Sequence, residues 1–218
     1  AAGDAIVARE GFDGFDDYVR AICADGDLIW MYGYNAVHTF DASTGELHSY
    51  PLNAEARGYL HHSALDSDGL TVSASEQAWF MLDGSAHMIA QWFRYNQSRS
   101  IFENIGCTLE KIVIRDDEAC LERVRELDVS AVPLDDGYFP QIEACFTVNG
   151  TAVLFSPAMV GPSQLYFLDP GANALRAVDV DVSVSYAIAW DDGILLIASD
   201  RQNRGQMRAG KMPLTGEA

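Results

Sequence analysis

Four times along this chain an apolar run meets an Asp-Gly or Asn-Gly pair and a second apolar run follows. The tracts are AICADGDLIWMYG (21–33), SALDSDGLTVSAS (63–75), ACFTVNGTAVLFS (144–156) and AIAWDDGILLIAS (187–199). Their turn glycines are Gly26, Gly69, Gly150 and Gly193, so the first and last pairs lie 43 residues apart and the middle pair 81. The middle gap therefore holds two units, one of them degenerate. Asp-Gly and Asn-Gly tolerate positive φ at both centres of a type I′ turn, whose twist matches two antiparallel strands. After each turn the apolar residues run almost without a break, as in Leu28–Met31, Ala152–Phe155 and Ile194–Ile197. Such runs belong to strands covered on both faces.

A second hairpin follows the first. Residues 37–50 align with 165–178, and 78–90 form a shorter version, with turns at Ser43-Thr44-Gly45, Pro170-Gly171 and Asp83-Gly84. Each unit then holds four strands in about 43 residues, which is the pattern of a β-propeller. The 218 residues divide into five such units. The expected fold is an all-β propeller of about five four-stranded blades in a single domain, residues 1–218. Tight turns are expected on one rim. Longer connections, at Gly33-Tyr34-Asn35 and from Asn53 to Tyr59, are expected on the other. The segment LTGE (214–217) matches STGE (43–46), and Ala5–Arg9 is laid out like an outer strand. That N-terminal strand is expected to complete the last blade and remove its free edge; the alternative is a piece of a larger propeller. The third unit, about 94–139, is irregular. It carries a candidate turn near Gly106. Residues 116–127 fit a hairpin turning at Asp116-Asp117 or a helix capped there, and the neighbouring strands favour the hairpin. Val129–Phe139 is an insertion.

Thirty-two acids against fourteen bases give a net charge of −18. Phosphate backbones need neutralising bases, so nucleic acid is not an expected partner. No run reaches the roughly eighteen apolar residues of a membrane helix, so membrane insertion is not expected. The acidity suits solubility, or attraction of a cation. Cys23, Cys107, Cys120 and Cys145 form no Cys-x-x-Cys pair and are expected as buried free thiols. No metal and no cofactor is expected. The Ala-Ala-Gly-Asp start suits a mature end after signal cleavage and equally a chosen chain boundary, so the compartment stays open, with a secreted or cell-surface setting slightly favoured over the cytoplasm.

Counting back from the turn glycines places Val19, His62, Glu143 and Tyr186 at equivalent points on innermost strands. Glu143 is an acid in the apolar run IEACF, which calls for a partner or a channel; Arg20 is the candidate partner. Asp17 lies just above the first inner strand. His61 and His62 point to opposite faces and cannot chelate one metal together. Aromatic residues such as Tyr34 and Tyr186 gather on the rim with the long connections. The expected function is non-enzymatic binding of a small molecule, glycan or protein by Tyr34, Asn35, His61, His62, Glu143, Tyr186 and Asp17. One alternative is a glycoside hydrolase using Asp17 and Glu143, since two carboxylates at a suitable separation cleave glycosidic bonds. Another is a scaffold fragment of a larger extracellular protein. No nucleophile-elbow, Walker, dinucleotide or zinc-protease motif is present, and a purely binding role is favoured over an enzyme.

Phe40-Asp41-Ala42 and Thr44-Gly45-Glu46, within TFDASTGELHSY (39–50), resemble the quinoprotein-type propeller repeat, with Tyr50 where that repeat carries Trp. The resemblance covers this blade well and residues 165–178 weakly. It implies propeller architecture. The family's vicinal disulfide and calcium ligands have no counterpart, so its quinone chemistry is not implied. Five-bladed propellers also occur among furanose-active glycoside hydrolases and sugar-binding lectins, which makes carbohydrate a ligand class by analogy of fold alone.

Overall fold

Tight turns close antiparallel hairpins, and the hairpins are arranged as four sheets of a propeller. The computed structural model describes residues 17–61, 64–157, 162–181, 184–199 and 207–214. The first sheet is β1 (Val19–Asp25), β2 (Leu28–Gly33), β3 (Ala36–Asp41) and β4 (Leu47–Pro51). A short helix, α1 (Ala54–Leu60), leads to the second sheet: β5 (Ala64–Leu65), β6 (Thr71–Leu82), β7 (Ser85–Asn96), β8 (Ile101–Arg115) and β9 (Glu118–Leu127). The third is β10 (Ala144–Val148), β11 (Thr151–Ser156), β12 (Ser163–Leu168) and β13 (Arg176–Val180). The fourth is β14 (Val184–Trp190), β15 (Gly193–Ser199) and β16 (Met207–Pro213). Within every sheet the strands follow one another in chain order.

Turn chemistry set these hairpins. Asn149-Gly150 and Asp83-Gly84 have positive φ at both residues, and so does Asp116-Asp117, where no glycine helps. The hairpin reading of 116–127 is therefore the observed one. Three apolar cores fill the gaps between successive sheets. Strand β11 shows why its apolar run is continuous. Ala152 and Leu154 face the second sheet, Val153 and Phe155 face the fourth, and all are buried. Alternation along a strand thus feeds two cores at once.

The second and third units differ from expectation. They form one five-stranded sheet, so four sheets are seen among the described residues, roughly consistent with the expected five or so blades. No glycine, proline or turn pair interrupts residues 71–82, and the chain runs through them as one strand with a bulge between Glu76 and Ala78. The second half of β6 is the strand beside β1 and β10. Cys23 Sγ lies 3.6 Å from Met81 Sδ, and the Thr147 hydroxyl donates to the Met81 carbonyl. The counterpart of the Gly26 and Gly150 turns is therefore Asp83-Gly84. The Gly69 turn closes only two-residue β5 and is held by the Asp66 carboxylate, which accepts from the amides of Asp68 and Leu70. Gly106 is not a turn. It lies inside β8 at a bulge opposite Trp92 and Phe93, with φ +140°.

Asn53–Tyr59, expected as a loop, is largely α1. The Asn53 side chain accepts from Ala56 N at 2.8 Å, a helix N-cap that satisfies an otherwise orphaned donor. The connection Gly33-Tyr34-Asn35 is a tight link rather than a long one. The insertion after β9 is tied down by the buried Gln91 amide, which donates to Gly137 O and accepts from Phe139 N at 3.0 Å. The N-terminal strand at Ala5–Arg9, the 215–217 part of the LTGE match, and His62 lie outside the described residues.

Candidate functional site

The β2–β3 link carries Tyr34 and Asn35, and the Asp17 carboxylate holds that link in place. It accepts N–H groups from Tyr18 at 2.9 Å, Tyr34 at 3.0 Å, Asn35 at 3.2 Å and Ala36 at 3.1 Å. His38 Nε2 lies 3.2 Å from the same group, and His38 Nδ1 lies 2.8 Å from Ser49 Oγ. Ser49, His38 and Asp17 are residue types of a nucleophile–base–acid chain. Ser49, however, lies on β4, the outermost strand of its sheet, and lines neither the 560 Å³ nor the 280 Å³ cavity beside Arg20–Glu76. The chain ties β3 and β4 to the link.

Burial pushes the Asp17 carboxyl upward, but His38 and the amides of Asn35, Tyr18 and Ala36 outweigh it and hold the group below its ordinary range. A carboxylate whose folded pKa is depressed stabilises above the unfolded value near 3.9, and that stability is lost as pH falls through the folded value. Wild type should therefore melt above Asp17→Asn at pH 6, with the gap closing as pH is lowered past about 4. Melting curves of both proteins from pH 6 to pH 2.5 test this. A gap that does not change with pH would show that the charge contributes nothing.

Tyr34 in turn orders its neighbours. Its ring stacks on His61 at 4.2 Å and 21°, and the Arg20 guanidinium lies 4.9 Å from its centroid. His61, the C-cap of α1, also meets the Tyr34 carbonyl through Nε2 at 2.9 Å. Arg20 forms an ion pair with Glu76 on β6. This corrects the expected Arg20–Glu143 pair. The Arg20–Glu76 pair borders two cavities. The smaller, about 280 Å³, lies against Tyr34, His61 and Ser75. The larger, about 560 Å³, lies where β1, β6 and β10 converge, against Tyr18, Gln77, Ile142 and Glu143. Among the described residues the Glu143 carboxylate has no hydrogen-bonding or ionic partner.

The structure thus gathers Asp17, Tyr34, Asn35 and His61 on one side of Arg20–Glu76 and Glu143 on the other. Tyr186 is elsewhere. It is 59% exposed on β14, in a row with Ile188 and Trp190, and lines neither cavity. The Asp17 oxygens are engaged by backbone donors, whereas Glu143 lines the larger cavity, whose wall does not include Asp17. Glu76 and Gln77 were missed. Counting back seven residues from Gly84 instead of Gly69 lands on Gln77, so the signal was present once the turn was assigned correctly. Among the described residues no group of three metal-ligating side chains occurs.

No protein-family profile matches the chain, and no curated protein sequence matches it. Solved structures of propeller type do. The tricorn protease is 15% identical, with 93% of this chain and 22% of that chain covered and a TM-score of 0.35. The WD40 domain of SCAP from fission yeast is 11% identical, with 89% and 42% covered and a TM-score of 0.37. The leech intramolecular trans-sialidase is 13% identical, with 87% and 29% covered and a TM-score of 0.36. The chain therefore spans well under half the length of each of these three structures, and the likeness concerns architecture alone.

Proposed function

We propose that this propeller is a non-enzymatic binding module whose ligand enters the 560 Å³ cavity at the convergence of β1, β6 and β10. The observation that carries this reading is Glu143, a carboxylate beside an open cavity with no partner among the described residues, facing a wall built by the Arg20–Glu76 pair. Small-molecule sites are concave, with a few polar groups that fix orientation. Tyr18 adds aromatic surface suited to stacking on a sugar or an amine, and Tyr34, against the smaller cavity, packs on the Arg20 that borders both. Asp17 has a supporting role, holding the link that presents Tyr34. The quinoprotein-type motif at 39–50 lies away from this cavity and builds a turn, where the Asp41 carboxylate accepts from Ser43 and Thr44. It contributes architecture to the proposal and no chemistry.

A glycan array and a panel of small amines supply the ligand. Glu143→Gln should weaken its binding about tenfold, or 1.4 kcal/mol, and Tyr34→Ala, which removes the ring packed on Arg20, should weaken it less. Melting should change little for Glu143→Gln, because that residue is exposed. Unchanged affinity in Glu143→Gln would remove the cavity as the site. The exposed row Tyr186, Ile188 and Trp190 supports a second, protein-contact role for the fourth sheet. Tyr186→Ala should leave small-ligand affinity untouched, which separates the two surfaces.

A further inference from the structure

Between α1 and the second sheet lies another cavity, of about 390 Å³, lined by Asn53, Glu55, Tyr59, Trp92, Glu110 and Arg123. Tyr59 and Trp92 meet edge to face, with centroids 4.9 Å apart at 77°. Glu110 is only 2% exposed. Its carboxylate accepts the Thr108 hydroxyl at 2.6 Å, and that hydroxyl accepts Trp92 Nε1 at 2.7 Å. A buried carboxylate requires a cation or a full set of donors. Arg123 supplies the cation. Its Nε lies 3.3 Å from Glu110 Oε1, and its guanidinium lies 4.9 Å from the Trp92 centroid.

This seat is loosely held. Arg123 reaches Glu110 through one nitrogen rather than as a two-pronged pair, and its side chain is 51% exposed. Glu55 adds a second carboxylate, which among the described residues meets only the Tyr59 hydroxyl, at 3.4 Å. The cavity therefore offers two aromatic rings and two carboxylates against one arginine. An anion would meet Glu55 and Glu110 and be repelled. A cation gains the Trp92 face and the Glu110 carboxylate. The net charge of −18 concentrates cations around the whole molecule.

We propose that this cavity recognises an alkylguanidinium or alkylammonium group, with Arg123 as a built-in occupant that the ligand displaces from Trp92 and Glu110. The site shares no lining residue with the 560 Å³ cavity, and its test does not depend on that assignment. N-ethylguanidinium is the probe, titrated by calorimetry and thermal shift into wild type, Arg123→Ala, Arg123→Ala with Glu110→Gln, and Glu55→Gln. Arg123→Ala should melt lower than wild type and recover in millimolar probe. It should bind the probe at least tenfold more tightly than wild type, because the internal competitor is gone. Adding Glu110→Gln should abolish that gain. Glu55→Gln alters an exposed position and should weaken binding severalfold without loss of fold. Acetyl-Gly-Arg-Gly-amide, run in parallel, separates two sources. Equal binding of the peptide points to a side chain of a partner protein, and binding of the free ion alone points to a small cation. No binding and no recovery in Arg123→Ala would overturn the proposal, as would recovery that persists after Glu110→Gln.

Discussion

Gly33→Ala should destabilise the protein by roughly 3 kcal/mol or more, although it adds a single methyl group. A Cβ built on Gly33 would lie 2.0 Å from Asp17 Oδ2 and 2.6 Å from Asp17 Cγ, with the Ala36 carbonyl at 3.1 Å. The clash is with a carboxylate that cannot swing away cheaply. Moving it breaks its hydrogen bonds to the amides of Tyr34, Asn35 and Ala36 and its contact with His38. Hydrogen bonds to a charged group are worth about 1.5–3 kcal/mol each, and buried donors left unpaired carry a further penalty. Gly26→Ala is the control. Its φ of +58° strains any side chain, but nothing lies within 4 Å of its Cβ, so its loss should stay near 1 kcal/mol. Denaturant unfolding of the two variants compares them directly. Equal losses would mean that the carboxylate clamp contributes no more than ordinary turn strain. Gly33→Ala should also lower affinity for any ligand that needs Tyr34, because the link presenting that ring is displaced.

The hairpins were legible because their turns rest on local chemistry. Asn149-Gly150 and Asp83-Gly84 take positive φ for reasons contained in two residues, and Asp116-Asp117 does so through tolerant side chains. The grouping of hairpins into sheets was not local. Gly69 matches Gly26 in spacing and flanking residues, yet its turn serves a two-residue strand. What decides is the absence of any chain breaker between Val72 and Leu82, which lets β6 run twelve residues and places Asp83-Gly84 beside the Gly26 and Gly150 turns. The same shift explains the site. Glu143, Tyr34 and His61 could be named from position, but the wrong turn put His62 where Gln77 lies and hid Glu76, the partner of Arg20. The Asn53 cap of α1, with Glu55 in the first turn, was a readable helix start within a stretch short enough to pass for a loop.

Phe80→Ala should cost about 3–5 kcal/mol, enough to unfold much of a marginal domain at physiological temperature. Phe80 has no exposed surface and sits on β6, the strand whose two faces feed different cores. Trp79 and Met81 point toward the first sheet, while Ala78, Phe80 and Leu82 pack with Leu154, Tyr166 and Leu168 of the third. A cavity at Phe80 therefore loosens the junction of the second and third sheets, and through β6 it also reaches the strand that carries Glu76. Phe102, 39% exposed, is the matched control, and Phe102→Ala should lose under about 1 kcal/mol. Two outcomes bear on the fold. If the sheets depend on one another, Phe80→Ala lowers the midpoint of a single transition seen alike by tryptophan fluorescence and far-ultraviolet circular dichroism. If they unfold as separate layers, the two probes part, because Trp190 on the fourth sheet stays folded while Trp79 and Trp92 on the second do not. The continuous burial of β11, with one face on each neighbouring core, favours the first outcome. A sheet that loses one partner leaves a full apolar face in water, and at about 25 cal/mol per Å² that exposure destabilises the next sheet in turn.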